Sequence, residues 1–530
     1  MESGNHDARA DLVAGRTALG IELGSTRIKA CLVGARHEVL ATGSSTWENE
    51  LVGGHWSYSL DAVWSGLRDA VGSLLSEIER SYGVHPVVGC LGVSAMMHGY
   101  LAFDASDQLL VPFRTWRDTT TGQAAAELTD VFGVNIPLRW SVAHYRQALL
   151  DAEPHVSHVR HLTTLAGYVH WQLTGERVLG VGDASGMFPI GPGTGDYDSE
   201  LLKRFDLLTG SGSPALGELL PRVLAAGRQA GVLTEQGAAL LDPTGTMQAG
   251  IPCCPPEGDA GTGMVATNSV APRSGNVSVG TSVFAMVVLE RALQRVHDEV
   301  DVVTTPAGDP VAMVHCNNGA SELGAWAKVF GEFAAALGLA YDDDAIFAAL
   351  LHAAGGGAPD AGGVLAYNFL AGEPVAGLVE GRPLVARTPD SRLSLGNLAR
   401  AQVYGVFATL ALGMKVLAEE QVAVDKMFAH GGIFRTEGVA QRALAAALGV
   451  PVTVGETAAE GGAWGIAVLA AYLRDGGAEP LTDYLAREVF ADAPEHVADP
   501  DAAEVAGFRS YLARFTAGLP TQQAAAESIR

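Results

Sequence analysis

Two hairpins carry hydroxyl groups in tight glycine turns: Gly20-Ile-Glu-Leu-Gly-Ser-Thr-Arg-Ile-Lys29 and Asn276-Val-Ser-Val-Gly-Thr-Ser-Val-Phe284. A glycine in such a turn permits positive φ and lets a bulky anion approach the backbone. The turn groups Gly24, Ser25 and Thr26, and Gly280, Thr281 and Ser282, can then hold phosphate oxygens. One such turn would be an ordinary hairpin. Two, each opening one half of a long chain, point to a duplicated fold with phosphates clamped between the halves. Glu22 places a carboxylate in an otherwise apolar strand beside Gly24, and Mg²⁺ is a natural partner for it; an edge-strand surface Glu is the plainer reading.

Four further segments could do chemistry. Gly92-Val-Ser-Ala-Met-Met-His98-Gly99 ends a buried strand, and ligands of open α/β sheets bind at the carboxyl ends of strands. His98 could therefore face a polar ligand, or simply satisfy a loop carbonyl. In Thr115-Trp116-Arg117-Asp118, an indole can stack on a sugar's apolar face while the carboxylate accepts its hydroxyls, although Trp116 could equally be core. Asp259 in Glu257-Gly258-Asp259-Ala-Gly261 begins a helix, either as its cap or as a general base. Asp183 in Val181-Gly-Asp-Ala-Ser-Gly186 competes for the base, although its context suits an Asx-turn. These residues alone do not rank the two. Gly431 and Gly432 follow a strand, where backbone can pass close to a flat ring or ribose.

The elements that position these residues repeat from half to half. After a polar stretch at 1–16, expected to be frayed, the pattern is hairpin, third strand near 38–44, helix at 60–82 and apolar strand at 87–93. Helical patterns follow at 122–131, 145–151, 163–173, 197–207 and 215–226. The run Ile251-Pro-Cys-Cys-Pro-Pro-Glu257 reads as a domain junction. Beyond it come a helix at 259–268, the second hairpin, a strand at 311–315 and helices at 321–336 and 344–353. A long helix at 395–420, strand 426–429, helix 437–448, strand 452–454 and helix 461–473 close that domain. The expected domains are thus 17–256 and 257–478, with 479–530 as a helical extension ending loosely.

Composition limits the partners. The 530 residues are 48% hydrophobic and 18% charged, which suits a folded globular enzyme of two or three domains. A net charge of −25 argues against nucleic acid or an anionic membrane, both of which require a basic face. Five cysteines, Cys31, Cys90, Cys253, Cys254 and Cys316, lack CxxC spacing and lie in apolar runs, as reduced buried thiols of a cytoplasmic protein would. The start of the chain lacks the pattern of a signal peptide. The longest apolar run, 403–414, falls short of the ~20 residues of a membrane span and reads as a buried helix.

Taken in order, these motifs resemble those of the FGGY carbohydrate kinases, most closely the xylulokinase-like members, over residues 18–475. Gly20-Ile-Glu-Leu-Gly-Ser-Thr resembles the first phosphate motif, with Lys29 where a basic residue often follows. Met97-His98-Gly99 and Trp116-Arg117-Asp118 resemble the sugar-binding segments, Gly258-Asp259 the Gly-Asp of the catalytic base, Gly280-Thr281-Ser282 the second phosphate motif and Gly431-Gly432 the adenosine motif. The chain departs from the pattern with Glu22 for the usual Asp and Arg117 for the usual Asn. It also has Thr119-Thr120-Thr121 for Gly-Arg, and Gly-Gly-Ile-Phe-Arg for a Gly-Gly-Gly run.

The resemblance implies an α/β fold of two ribonuclease-H-like, actin-like ATPase domains with an interdomain cleft, plus the helical extension. It implies a phosphotransferase that uses ATP and Mg²⁺ on a sugar hydroxyl, most simply that of a ketopentose such as xylulose, in a cytoplasmic enzyme that could be a homodimer. By it Asp259 is the base, Met97, His98, Trp116 and Asp118 bind sugar, Glu22 serves the metal, and Asp183 is structural. A non-catalytic sugar or nucleotide sensor, or an actin- or Hsp70-like ATPase of the same fold, is the alternative.

Overall fold

The structure, a computed structural model, describes residues 2–210, 214–455, 461–476, 478–491, 493 and 495–529. The chain forms two compact units. The first comprises residues 1–270, 302–311 and 459–493, and the second 271–301, 312–458 and 494–530.

The sheet of the first unit has five strands in the order Glu257–Gly258, Cys90–Ala95, Ala18–Leu23, Arg27–Val33 and Val39–Thr46. Ala18–Leu23 pairs antiparallel with the next strand of its hairpin and parallel with Cys90–Ala95. Every residue of Cys90–Ala95 is buried, as a continuous apolar run covered on both faces requires. Helix Leu60–Tyr82 packs its Val63, Leu67, Val71, Leu74 and Ile78 stripe inward. Ser59 caps its first turn and Gly83, in left-handed conformation, ends it.

The second unit repeats the plan. Its sheet has Val283–Val288, Ser274–Val279, Lys426–Gly431, Val452–Gly455 and Glu495–Ala498 in that order. Again the first hairpin strand pairs antiparallel with its partner and parallel with a later strand, Lys426–Gly431. This recurrence of hairpin and parallel neighbour is the half-to-half duplication expected from the two glycine turns. Helix Leu395–Glu419 is long and apolar enough to cross a membrane, yet 72% of its most apolar window is buried in the protein. It is the buried helix that its all-round apolar surface predicts.

Four expectations about the chain's organisation are corrected. Residues 2–14 form a helix rather than a frayed tail, because Ala8 and Leu12 join the core of the first unit. The first unit extends past residue 256 to include helix Asp259–Ala266, and it recruits helix Gly461–Asp475, which had been expected to close the second domain. Close packing explains the recruitment: a Cβ on Gly20 would lie 2.1 Å from the Ala463 carbonyl, and one on Gly465 2.1 Å from that of Thr262. After Pro221, the expected helix at 215–226 gives way to strand Arg222–Leu224. Residues 495–529 are not a loose end: one strand joins the sheet, and helix Ala502–Gly518 buries Phe508, Tyr511 and Phe515 in the core of the second unit.

Candidate active site

Asp259 is the first residue of helix Asp259–Ala266, whose cap is Gly258 and makes no side-chain capping bond. The carboxyl therefore does not cap its own helix. It accepts the Met97 N–H at 3.1 Å, which ties it to the end of strand Cys90–Ala95. Desolvation raises its pKa to about 6, against the opposing pull of that N–H, although the residue keeps an edge in solvent. Glu22 lies nearby: burial raises its pKa to about 7, the Asp259 charge adds to the rise, and Lys29 opposes it. Lys29 is the direct cross-strand neighbour of Glu22, which places its charge where it lowers that pKa.

Two more carboxyls stand behind this pair. Asp183 is fully buried; burial raises its pKa to about 7, the Thr164 hydroxyl opposes, and Asp259 adds to the rise. Thr164 donates to Oδ2 at 2.6 Å, while Oδ1 has no hydrogen-bond partner. This is not the Asx-turn expected of Asp183. Glu257, pushed up by burial and by Asp183, accepts the Asp183 N–H at 2.9 Å. Among the described residues no three His, Cys, Asp or Glu side chains gather into a metal-ligand group.

His98 is buried beside Met97, with φ at +72°, a conformation that a residue other than glycine seldom holds without compensation. Its Nδ1 meets the Gly186 carbonyl at 3.2 Å, so the loop-carbonyl role is fulfilled. A Cβ at Gly186 would lie 2.6 Å from this ring, so a larger residue there would have to displace the imidazole. Tyr100 bridges to Arg114, bringing the following Trp116 and Asp118 alongside the His98 segment. Trp116 is half-buried against the core, whereas Asp118 is buried and its carboxyl is already engaged. Thr120 donates to Oδ1 through its N–H at 3.0 Å and its hydroxyl at 2.7 Å, and His55 Nδ1 meets Oδ2 in a short hydrogen bond. Burial works against ionisation of Asp118, but the Thr120 and His55 bonds hold its pKa below the usual value.

The first glycine turn is braced from one side. Gly24 N–H bonds the Arg27 carbonyl at 2.9 Å, Trp47 donates to the Gly24 carbonyl at 2.7 Å, and Tyr58 donates to the Ser25 carbonyl at 2.6 Å. The bulk of the turn's carbonyls thereby face protein, and Ser25 and Thr26 remain exposed.

In the second unit a cavity of about 540 Å³ is lined by Gly280, Thr281, Ser321, Phe347, Gly432 and Arg435, among others. Strand pairing sets Val279 beside Gly431, and a Cβ on Gly431, whose φ is +124°, would lie 2.1 Å from the Val279 carbonyl. Helix Ser321–Ala336 begins at this cavity, and its cap, Ala320, has no side chain to satisfy the first-turn N–H groups. Free first-turn amides at a positive dipole end form a phosphate site. Gly280, Thr281 and Gly432 thus line one cavity; Ser282 and Gly431 adjoin it through the hairpin and the strand pair.

Sequence reasoning missed His55, Phe347 and Arg435. His55 lies on a three-residue strand, too short to show a period, and its partner Asp118 is 63 residues away. Phe347 belongs to an apolar helix, where an aromatic side chain reads as core.

Comparison with known proteins accords with this layout. Residues 17–265 match the N-terminal domain of the FGGY family of carbohydrate kinases, and residues 275–474 match its C-terminal domain. A xylulose kinase of Streptomyces coelicolor is 27% identical over 292 residues, covering 52% of this chain and 55% of that one. The chain spans about half the length of the curated relatives it matches. Over almost the whole chain the fold is that of a xylulose kinase from Rhodospirillum rubrum, with TM-score 0.77, 21% identity and coverage of 96% and 99%. It is equally that of a gluconate kinase from Lactobacillus acidophilus, with TM-score 0.77, 16% identity and the same coverages. With both domains matched in order, the chain belongs to the FGGY family of carbohydrate kinases.

Proposed function

We propose that this protein transfers the γ-phosphoryl group of ATP to a hydroxyl of a sugar. The observation that carries the reading is Asp259: a carboxyl of raised pKa, oriented by the Met97 N–H, in the unit that also holds His98 and Trp116. A base works best when its pKa lies near the operating pH, and about 6 meets that condition. Asp259 takes the hydroxyl proton as the oxygen attacks phosphorus. Met97 and His98, on their strained segment, and Trp116 hold the sugar. Asp118 contributes at one remove, by orienting His55.

The cavity of the second unit takes the nucleotide, with phosphates at Gly280, Thr281 and the start of helix Ser321–Ala336, and the adenosine near Gly432 and Phe347. Ser25 and Thr26 supply the first unit's phosphate turn. Glu22 fits a divalent cation, because burial and the neighbouring Asp259 charge raise its pKa and a positive charge would relieve both. Mg²⁺ needs only one or two carboxylates besides water and phosphate oxygens. When bound, it would neutralise charge on the β- and γ-phosphate oxygens.

The relatives named xylulose kinase make a ketopentose such as xylulose the reference substrate. The test is sugar-dependent ADP release by the purified protein with Mg·ATP, screened across ketopentoses, deoxyketohexoses, polyols and aldonates. Release stimulated by at least one sugar is expected; ATP turnover indifferent to every sugar would point to the actin- or Hsp70-like alternative.

A further inference from the structure

The side chains around Trp116 narrow the substrate class of the sugar site just proposed, on which this inference rests. Asp118, expected to accept sugar hydroxyls, has given both oxygens to protein donors. An ionised carboxylate only accepts hydrogen bonds, so His55 carries its proton on Nδ1 and turns its other ring nitrogen away from Asp118. The His55 side chain is 27% exposed, against 1% for Asp118, so the imidazole is the part of the pair that a ligand meets.

Arg117 adds a charge. Its guanidinium lies 4.8 Å from the centre of the Trp56 ring and 5.9 Å from that of Trp116. It has no carboxylate within ion-pair reach among the described residues, and Asp118 is already spent on Thr120 and His55. Two indole faces hold this guanidinium in place, and a fixed fork of N–H donors matches a carboxylate. The Thr115 N–H bonds the Trp56 carbonyl at 3.0 Å, which joins the strand of His55 and Trp56 to the segment of Trp116 and Arg117.

We propose that this wall binds a sugar acid, a polyhydroxy chain bearing a carboxylate, with the carboxylate held by Arg117 and a neighbouring hydroxyl donated to the outer ring nitrogen of His55. The hydroxyls then extend toward His98 and the base Asp259. The residue in place of the family pattern's Asn is the one that selects the anionic end of the substrate over a neutral ketopentose.

The test compares kcat/KM of the full-length protein with Mg·ATP for aldonates of four to six carbons, for xylulose and for sugar phosphates. At least one aldonate is expected to exceed xylulose by about tenfold or more, as a charge-assisted contact allows. Arg117→Gln should lower that aldonate-to-xylulose ratio by about ten- to a hundredfold, while Arg117→Lys keeps most of it. Arg117 is exposed, so neither variant threatens the fold. Preference for a neutral sugar, preference for a sugar phosphate over every aldonate, or an unchanged ratio in Arg117→Gln would each overturn the proposal. If no sugar stimulates ADP release, the kinase reading fails, and titration calorimetry of aldonates without nucleotide decides this one separately: Arg117-dependent binding supports it, and no binding overturns it.

Discussion

At the scale of single residues, the first unit concentrates carboxyls that would prefer to stay protonated. Asp183 and Glu22 are raised to about 7 and Asp259 to about 6. Between the unfolded values near 4 and these folded values, the native state binds more protons than the unfolded chain. Stability contributed by the three groups is therefore complete at low pH and is lost as pH rises through about 6 to 7. Asp183→Asn keeps an acceptor for Thr164 and removes one ionisation. In thermal unfolding, its Tm relative to the parent protein should climb as pH is raised from 5 to 8. The difference should change by no more than about 1.4 kcal/mol per pH unit. A difference independent of pH would show that Asp183 titrates normally. Asp259 and His98 were legible in the sequence because a carboxylate after glycine and a His-Gly at a strand end are local patterns. Asp183 was not, since the Thr164 hydroxyl and the Glu257 carboxylate that define its setting come from distant segments.

At the scale of elements, both glycine hairpins and a later strand in each half were legible, because alternation and turn chemistry are written in consecutive residues, whereas the parallel pairing of hairpin and strand is long-range. Helix Leu60–Tyr82 and helix Ser321–Ala336 have the bounds their apolar patterns predict. The cavity at the second hairpin was legible only in part: Gly280, Thr281 and Gly432 signal it, whereas Phe347 and Arg435 arrive by tertiary packing. Gly431 is the tightest joint in this arrangement. Gly431→Ala combines positive-φ strain with a clash against the Val279 carbonyl, and should destabilise the protein by roughly 2–5 kcal/mol. Nucleotide affinity, read by calorimetry, should fall with it. A variant with parental Tm and affinity would remove Gly431 from the site.

At the scale of the whole molecule, the order of domains was legible and their membership was not. Helix Gly461–Asp475 follows the second sheet in sequence yet belongs to the first unit, and residues 495–529 complete the second. Such returns depend on which glycine-paved surface accepts a helix, a property that no local window contains. Removal of residues 499–530 would strip Phe508, Tyr511 and Phe515 from the second core. Each large apolar deletion of this kind costs about 3–5 kcal/mol, so the truncated chain should lose cooperative unfolding of that unit and with it nucleotide binding. Unchanged calorimetric unfolding would contradict the assignment. The central claim, sugar phosphorylation with Asp259 as the base, is tested most directly by the turnover of Asp259→Ala. The variant should bind ATP as the parent does, while kcat with its best sugar falls by about 10²–10⁴-fold. Turnover near that of the parent protein would contradict the account.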